Sequence, residues 1–553
     1  MLSPIVIGLT LLFSAYLFSS YWRLRHIPGP FLASFSKLWL LKWMIPAELH
    51  VGLLEAGHVV RIGPNEVVTN NPEIIRRINA VRSPYKRSTW YNGTCFDHSR
   101  NHVFCERDEA RHVKLRNQMI PGYSGKDNPY LELSIDNRLT HFISFIRQKY
   151  LSCSVEASSL EKHESQSSYC YKPVDFTRIT QYFALDVISD IAFGQPFGFL
   201  ETDSDVHDYI KTQKALLPVF EWFAMFPSLE RLTRIGWVSR LLMPKTTDKR
   251  GLGCLMGVAE RIVNHRYAAT SKSAPKSDML GSFIRHGLPQ EQAKVETVLQ
   301  VMAGSDTTVT SLQMIVLFVN TSPSVLYRLR AELDAAEKAG KLSRPMARES
   351  EIQAHIPYLC ACVKESLRMW PPVLGLGYKD VPEGGDTING IFLPAGTSVG
   401  YDAWGLHRSK AVYGDDADIY RPGRWIDTKD EKKLSEMNRS ADLVFSYGKN
   451  GCLGKPVAFM ELNKAVTELF RRFDISLVKP WKPIRSVQRN GLFVQSDMWG
   501  VVTRIHKAPA RQTSLCTVHG CLFFVLQLLS EPAFITSWGN GHRVCSVRLI
   551  TYY

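Results

Sequence analysis

Apolar and polar positions follow patterns that predict a mostly helical protein with an apolar leader. Pro4 to Trp22 contains no charged residue, and a helix of that length can span a bilayer. The basic stretch Arg23 to His26 follows and no Lys or Arg precedes, so the positive-inside tendency places the N-terminus in the lumen. A cleaved signal peptide would need a basic leader, which this run lacks. We therefore expect residues 1–22 to form a membrane anchor.

A hinge follows the anchor. Ile27 to Pro30 reads I-P-G-P, which no helix crosses. Phe31 to Trp43 is aromatic and apolar with two lysines, a pattern typical of a segment in the membrane interface. We assign residues 23–45 to this hinge and interfacial segment.

Periodicity predicts the elements of the first half. Val59 to Val67 predicts two short strands around a Gly-Pro turn. Asn71 is the predicted N-cap of a short helix that starts with proline. The other predicted elements are helices over Pro72 to Ala80, Arg107 to Met119 and Asp175 to Phe193, and a polar, serine-rich loop over Leu151 to Tyr171.

Glu291 to Asn320 predicts one long helix, in which Ala303 to Thr308 reads A-G-S-D-T-T. Gly costs about 1 kcal/mol relative to Ala in a helix, and Ser, Asp and Thr compete for the backbone. One interpretation is a local opening of the helix at a functional site, with room for a diatomic molecule and with Asp306 and Thr307 relaying protons. The alternative is a Ser/Thr kink that packs against a neighbour.

Cys360 to Met369 predicts a helix on which Glu365 and Arg368 share one face. Such a pair is usually a surface contact worth a few tenths of a kcal/mol. Arg424, in a compact loop further on, could join the pair in a buried network, where partners must be complete or absent. Strands are predicted over Thr387 to Phe392 and over Thr397 to Tyr401.

Phe445 to Gly454 reads F-S-Y-G-K-N-G-C-L-G and leads into a helical pattern with Pro456 in its first turn. Cys452 therefore lies just before a helix start, where backbone N–H groups and the helix dipole favour a thiolate. A lone cysteine in this place is more often a buried small hydrophobe. The loop is also a setting in which a cysteine can ligate haem iron.

Composition and charge narrow the classes of protein. The eleven cysteines are odd in number and contain no C-x-x-C, which indicates reduced thiols in a cytosol-facing protein. The net charge of +15 suits an anionic membrane surface or an acidic protein partner. Because the basic residues are dispersed and do not cluster with aromatic residues, we expect no nucleic-acid binding.

Four separated motifs agree in order and spacing, and from about Pro28 to Arg504 the chain resembles a cytochrome P450. The motifs are the cysteine loop, A-G-S-D-T-T, the E-x-x-R pair with its third arginine, and His112 with Arg116 on one helix. The amino-acid sequences of several segments are similar to those of membrane-bound enzymes of filamentous fungi, in particular the pisatin demethylase-like group. On their own residues, His112 and Arg116 would be assigned to a solvated helix face.

The resemblance implies roles for these residues. Cys452 is the expected axial ligand of the haem iron, and Asp306 with Thr307 is the expected catalytic pair. Other expected haem contacts are His112, Arg116, Phe445, Gly448, Lys449 and Gly454. The expected structural network is Glu365, Arg368 and Arg424. The expected substrate pocket is Val301, Met302, Val373, Leu374 and Phe493.

Two positions depart from the family pattern. Asn450 stands two residues before the cysteine, where the family usually has an arginine, and Lys379 is the nearest base in the strand after Pro371-Pro372. Both positions normally face haem propionates. We therefore expect haem retention to depend more on Arg116, Lys379 or Lys449.

The implied fold is mainly α with small β-sheets, spans residues 46–505 and follows the single transmembrane helix. The implied function is that of a haem b monooxygenase, which activates O2 with NADPH-derived electrons and oxidises a lipophilic small molecule in fungal secondary metabolism. The implied partners are NADPH-cytochrome P450 reductase, with cytochrome b5 as an optional donor, and the endoplasmic reticulum membrane, with the catalytic domain in the cytosol.

Two alternative functions stay open. The first is a haem-thiolate isomerase or dehydratase that does not use O2, against which Asp306 and Thr307 argue. The second is a non-catalytic haem-binding protein, which Asn450 keeps open. Residues 506–553 have no family pattern and no assigned fold, and they could be a disordered extension, an extra membrane contact or coding sequence read past the usual stop, of which we favour the last.

Overall fold

The computed structural model describes residues 4–97, 100–155, 168–233, 235, 237–238, 244–270 and 276–505. The described residues belong to one compact unit, which ends at Ile505. The predicted extension over residues 506–553 lies outside the described residues.

Helices form most of the regular structure. The α-helices are α1 (Pro4–Leu24), α2 (Leu38–Met44), α3 (Leu49–Ala56), α4 (Pro72–Asn79), α5 (Glu109–Tyr123), α6 (Leu131–Lys149), α7 (Phe176–Phe193), α8 (Phe199–Thr202), α9 (Tyr209–Met225), α10 (Pro227–Thr233), α11 (Gly251–Thr270), α12 (Met279–Arg285), α13 (Gln290–Asn320), α14 (Pro323–Lys338), α15 (Glu349–His355), α16 (Pro357–Met369), α17 (Ala403–Leu406), α18 (Lys410–Tyr413), α19 (Arg424–Asp427), α20 (Glu431–Ala441) and α21 (Lys455–Phe470). Short 3₁₀ helices are Phe31–Ser34, Thr89–Thr94, Val206–Asp208, Asp442–Phe445 and Gly448–Asn450.

The strands are short and lie in small sheets. They are β1 (Val59–Arg61), β2 (Glu66–Thr69), β3 (Lys86–Arg87), β4 (Cys153–Val155), β5 (Ser168–Cys170), β6 (Pro173–Asp175), β7 (Lys379–Asp380), β8 (Asp386–Ile388), β9 (Ile391–Leu393), β10 (Ser398–Tyr401), β11 (Phe473–Leu477), β12 (Arg485–Arg489), β13 (Leu492–Ser496) and β14 (Trp499–Arg504). A five-stranded sheet has the order β1-β2-β10-β7-β3, in which β2 and β10 are parallel and the other pairs antiparallel. A three-stranded sheet has the order β11-β14-β6, and β4–β5, β8–β9 and β12–β13 form two-stranded ribbons.

Helix α13 runs through the core, where it packs against α7, α11, α16 and α21. It is apolar around most of its circumference, as expected for a helix surrounded by other helices. At Gly304 a side chain would be excluded, because an added Cβ would lie 2.7 Å from Cδ1 of Ile188 on α7. The glycine therefore permits the close approach of α7 and α13.

Several sequence predictions hold at the level of single residues. Asn71 caps α4, since its Oδ1 accepts the N–H groups of Glu73 and Ile74 at 2.9 and 3.3 Å. Helix α7 ends at Gly194, which adopts the left-handed conformation with φ of 74°. The predicted strands around the Gly-Pro turn are the antiparallel pair β1–β2.

Three predictions about local structure are wrong. The ends of the predicted loop over Leu151 to Tyr171 pair as strands β4 and β5, a pairing between two segments that the local sequence pattern does not show. Thr387 to Phe392 is not one strand, since Asn389 and Gly390 both have positive φ and turn the chain into the hairpin β8–β9. The predicted helix opening in α13 is absent from the described structure, where the helix is continuous.

Helix α1 matches the apolar leader, and its large side chains from Val6 to Trp22 are mostly exposed. Within the described part of the chain, α13 is the one helix picked out as long and apolar enough for a membrane span, and it is mostly buried as a core helix. The predicted transmembrane role of α1 therefore stays a prediction.

Arg61 ties the end of α1 to the five-stranded sheet. Its guanidinium is buried, and Nη2 donates to the carbonyl oxygens of Ser20, Ser34 and Pro64 at 2.8, 3.0 and 2.8 Å. These acceptors come from α1, from the hinge and from the β1–β2 turn. One side chain thus collects three separate chain segments.

Glu365 is the centre of a fully buried polar network. Arg368 donates to both of its oxygens at 2.9 and 2.8 Å, and Arg424 Nε donates to Oε1 at 2.9 Å. The indole of Trp425 and the backbone N–H of Arg421 complete the shell, both at 3.0 Å. Because every one of these bonds is charge-assisted and shielded from water, the predicted network is complete rather than a surface pair.

Replacing Glu365 by Ala should lower the free energy of unfolding by about 3–5 kcal/mol, because two buried guanidinium groups would lose their carboxylate. Denaturant unfolding of the purified protein measures this change. Asp427→Asn is the matched control, since it removes an exposed pair with Arg328 and should cost less than about 1 kcal/mol. Equal losses in the two variants would contradict the structural role of the network.

Candidate functional site

The cysteine loop is folded tightly against α4 and α21. The N–H of Cys452 donates to the carbonyl oxygen of Phe445 at 2.8 Å, which closes the loop. Gly448 has φ of 56°, and any side chain on it would collide with the backbone of Asn79 at the end of α4. Helix α21 then begins at Lys455 with a proline in its first turn, as predicted.

Cys452 faces an enclosed region of the protein. Its side chain keeps accessible surface, yet burial dominates its electrostatic environment, so the accessible side faces inward rather than toward bulk solvent. Ala303 on the buried helix α13 is likewise accessible. Helix α13 packs directly against α21, the helix that follows the cysteine loop.

The predicted preference of Cys452 for the thiolate is wrong for the sulfur alone. Burial raises the pKa of the Cys452 thiol above its usual range, and the N–H groups of Gly454 and Lys455 and the charge of Arg116 oppose this only in part. A bound metal cation would reverse the balance, since a coordinating thiol loses its proton.

Arg116 links α5 to the cysteine loop. Its Nη1 donates to the carbonyl oxygen of Gly451 at 2.7 Å, one residue before the cysteine. Asp108 fixes the start of α5 by accepting the N–H of Arg111 at 2.7 Å. Helix α5 thus carries a buried His112 and, on the same face, Arg116 toward the cysteine loop, so the solvated helix face that these residues alone would predict is wrong.

His112 presents an unused donor. Arg87 Nη2 lies 2.8 Å from His112 Nε2, and because a guanidinium can only donate, Nε2 is the acceptor and Nδ1 carries the proton. Among the described residues Nδ1 has no hydrogen-bond partner. Burial, followed by the charge of Arg87, lowers the pKa of His112 to about 2, so the ring stays neutral.

Arg87 and Lys379 are directly opposite each other in the ladder of β3 and β7, and both are buried. Like charges in such a pair are destabilising. Within the described residues Lys379 Nζ and Arg87 Nε have no hydrogen-bond partner. Burial, followed by the charge of Arg87, lowers the pKa of Lys379 well below its usual range. Buried cations with free donors indicate a site for an anionic ligand.

Lys449 and Asn450 hold the loop in place. Lys449 Nζ donates to the carbonyl oxygens of Ser83 and Tyr85, both at 3.1 Å, and pairs with Glu109 at 3.1 Å. Asn450 Nδ2 donates to Asn79 Oδ1 at 3.1 Å. These contacts fasten the loop to its neighbours, so Lys449 has less donor capacity left for a ligand than Lys379.

Asp306 and Thr307 lie one helical turn beyond Ala303. Thr307 Oγ1 donates to the carbonyl oxygen of Ala303 at 2.9 Å, within the unbroken helix. Asp306 Oδ1 accepts the amide of Gln181 on α7 at 3.1 Å. Burial raises the pKa of Asp306 to about 6, close to the range where a carboxyl group both holds and releases a proton.

The five predicted pocket residues fall into two separate apolar clusters. Val301 and Met302 line a cavity between α13, α8 and α11. Leu374 and Phe493 pack in a different cluster with two tryptophans, and Val373 bridges to the strand that carries Phe493. The structure therefore does not bring all five together, since residues 301 and 302 project from α13 toward α11.

Sequence reasoning missed Arg87, Gln181 and Gln213. Arg87 belongs to a two-residue strand, and its place opposite Lys379 depends on a pairing that no local pattern shows. The glutamines reach Asp306 from α7 and α9, which are distant in sequence. The two adjacent bases Lys86 and Arg87 are the one weak sequence signal that could have indicated Arg87.

The site fits a metal held by a macrocycle rather than by the protein alone. No group of three or more His, Cys, Asp or Glu side chains that could hold a metal occurs in the described ranges. Cys452 would then be the protein ligand, while the free donors of His112, Arg87 and Lys379 would bind acidic substituents. A haem, with one open axial position and two carboxylates, has this combination.

Comparison with known proteins agrees with this arrangement. The chain matches the family model described as Cytochrome P450 over residues 57–498. It is 38% identical over 509 residues to the cytochrome P450 monooxygenase ABA1 of Pyricularia oryzae, covering 90% of this chain and 96% of that protein. It is 38% identical over 489 residues to aba1 of Botryotinia fuckeliana (87% and 92% covered) and 35% identical over 512 residues to abl1 of Leptosphaeria maculans (90% and 84% covered).

Replacing Lys379 by Met should flatten the pH dependence of stability in the ligand-free protein. The unfolded lysine has a pKa of about 10.4, and the folded one lies well below it, so the unfolded state binds more protons. The free energy of unfolding therefore rises with pH between the folded-state pKa and about pH 10, by up to about 1.4 kcal/mol per pH unit.

Denaturant unfolding at several pH values between 6 and 9 measures this slope. Lys341→Met is the control, because Lys341 is exposed and its removal should leave the slope unchanged. A Lys379→Met protein with the same slope as the unmodified chain would show that Lys379 is charged in the folded state.

Proposed function

Since the chain belongs to the cytochrome P450 family, we propose that it is a membrane-bound monooxygenase that oxidises a lipophilic small molecule in fungal secondary metabolism. Three features of the described residues carry this proposal. They are a cysteine loop that receives a hydrogen bond from Arg116, buried basic side chains with free donors, and a carboxyl group on α13 whose pKa lies near neutrality.

Cys452 is the proposed axial ligand of the haem iron. Arg87, Arg116, His112 and Lys379 are the proposed partners of the two haem carboxylates, while Phe445, Gly448 and Gly454 shape the loop around the sulfur. When bound, a thiolate-ligated haem activates O2, since the sulfur donates electron density that favours O–O cleavage. Lys379 and Arg87 thus bind the haem carboxylates in place of the family's usual arginine, whose position Asn450 occupies in this chain.

Asp306 and Thr307 are the proposed proton donors for this reaction. A carboxyl group with a pKa of about 6 can release a proton and recover one from water near neutral pH. The Thr307 hydroxyl donates to the Ala303 carbonyl, so its oxygen keeps lone pairs that accept a proton or a hydrogen bond. Ala303, the accessible position one turn before, leaves space beside both groups.

An NADPH-cytochrome P450 reductase is the proposed electron donor. The surplus of +15 charges favours an acidic partner, and Tyr447 exposes part of the cysteine loop at the surface. Turnover that requires NADPH and reductase would distinguish the monooxygenase from an isomerase or dehydratase, which needs neither.

Helix α1 is the proposed membrane anchor. Its exposed apolar surface ends in a group of stacked rings, as at the aromatic belts of membrane proteins. Further exposed apolar side chains on and after α9 and α10 are Val219, Trp222, Leu229, Leu232 and Trp237. We assign these side chains to the bilayer interface as well, because α2, which belongs to the predicted interfacial segment, packs against the end of α9.

Cys452→Ser should abolish the thiolate signature of the haem. We expect the reduced carbon monoxide complex of the unmodified protein to show the absorption band of a thiolate-ligated haem, and the variant to lose that band and all NADPH-dependent turnover. Cys362→Ser is the control, since Cys362 is buried on α16 away from the loop. An unaltered spectrum in the Cys452 variant would refute the assignment of the ligand.

Deletion of residues 1–19 should convert an integral membrane protein into an extractable one. The deletion keeps Ser20 and the contacts of Arg61, so the folded domain should remain intact. Carbonate extraction of microsomes measures the change: the full chain should stay in the pellet and the shortened chain should enter the supernatant. Extraction of the full chain would contradict the anchor.

A further inference from the structure

Asp306 is held by neutral amides rather than by a cation. Gln181 Nε2 on α7 donates to its Oδ1 at 3.1 Å, and the side chain of Gln213 on α9 lies near the same carboxyl group. Both glutamines are buried. We call Gln181 and Gln213 the glutamine pair.

The glutamine pair has one acceptor to spare. Gln213 Oε1 is buried and has no hydrogen-bond partner among the described residues. An unpaired buried acceptor costs free energy, so a donor that reaches it in another protonation state of Asp306 would be stabilising. An ionised Asp306 can only accept hydrogen bonds, whereas a protonated one can also donate its O–H. Rotation of the Gln213 amide about its last side-chain bond would let this free oxygen accept that O–H.

Resting on the function proposed above, we propose that Gln181 and Gln213 are positioning residues that keep Asp306 in one place in both of its protonation states. When Asp306 is ionised, amide N–H groups donate to it. When it is protonated, its O–H donates to Gln213 Oε1. The proton that Asp306 gives toward Thr307 is replaced by one from water, so the carboxyl group is restored without moving.

Neutral partners affect the pKa of Asp306 differently from a cationic partner. A buried Lys or Arg bonded to a carboxylate lowers its pKa by one to several units and holds it ionised at neutral pH. The ionisable groups that face Asp306 are Lys214 and Tyr209, both on α9, while α7 faces it with the neutral Gln181. Lys214 is exposed to solvent, so its charge is screened, and burial remains the largest influence on the carboxyl group.

The pair also couples the acid to α9. Tyr209 Oη lies 3.4 Å from Ser305 Oγ, and Gln213 follows one turn later on the same face of α9. Neighbouring residues of α13 thus contact neighbouring turns of α9. Helix α9 therefore contributes to the surroundings of Asp306, beside the hydrogen bond from Gln181 on α7.

Infrared spectroscopy of the purified holoprotein tests the proposal, because the C=O stretch of a neutral carboxyl group can be titrated with pH. Asp306→Asn identifies the band. The expected midpoint is near pH 6 in the unmodified protein, about one unit higher in Gln181→Leu, and at least about one unit lower in Gln181→Lys. Gln213→Leu should raise the midpoint less, since it removes a donor to one state and an acceptor for the other.

Gln313→Leu is the matched control. Gln313 is a buried glutamine in the same interface of α7 and α13, but it bonds Thr180 and Thr177 rather than Asp306. Its replacement should leave the infrared midpoint and the product formed per O2 consumed unchanged. In Gln181→Lys, product formed per O2 consumed at pH 7.5 should fall several-fold relative to the unmodified protein. In Gln181→Glu, product per O2 should be higher at low pH than at pH 7.5, because the new carboxyl group is neutral at low pH.

The outcomes separate the two proposals. If Asp306→Asn leaves product per O2 unchanged, Asp306 is not the proton donor and the mechanism proposed above fails. If Asp306→Asn uncouples the enzyme but Gln181→Leu and Gln213→Leu titrate like Gln313→Leu, the glutamine pair does not position the acid and this inference fails.

Discussion

Two buried basic side chains that oppose each other across a strand pair are the constraint on which the site depends. The ladder of β3 and β7 fixes the separation of Arg87 and Lys379, and both side chains are buried. The described chain supplies no hydrogen-bond partner for Lys379 Nζ, and burial lowers the pKa of that amine well below its usual range. The fold by itself therefore keeps the cost of an unpaired buried amine, which an anionic ligand offsets, and ligand binding must stabilise the folded state accordingly.

Features that depend on residues close in sequence could be predicted. Glu365 and Arg368 are three apart on a helix, so their pairing follows from helical geometry alone. The cap at Asn71 and the glycine after α7 follow from backbone chemistry in the same way. The cysteine loop was recognisable because its glycines and the proline after Cys452 leave few other conformations.

Features that arise where distant segments meet could not be predicted. The surroundings of Gly304 are one example, because the sequence does not show that its missing side chain admits Ile188 of α7. Burial is another example. The helix start favours the Cys452 thiolate, but burial raises the pKa of the thiol, and the local sequence does not show how deeply the sulfur is buried. The pairing of Arg87 with Lys379 and the reach of Gln181 to Asp306 likewise exist only in the folded chain.

Arg61 gives the connection between α1 and the sheet a mechanical character. The I-P-G-P stretch alone would leave a flexible connection between α1 and the sheet. Hydrogen bonds from one guanidinium to three carbonyl oxygens make this connection rigid. With α1 in a bilayer, this rigid connection would set the tilt of the whole domain relative to the lipid surface. The height at which a lipophilic compound leaves the lipid and enters the protein would then depend on a side chain more than thirty residues beyond the end of α1.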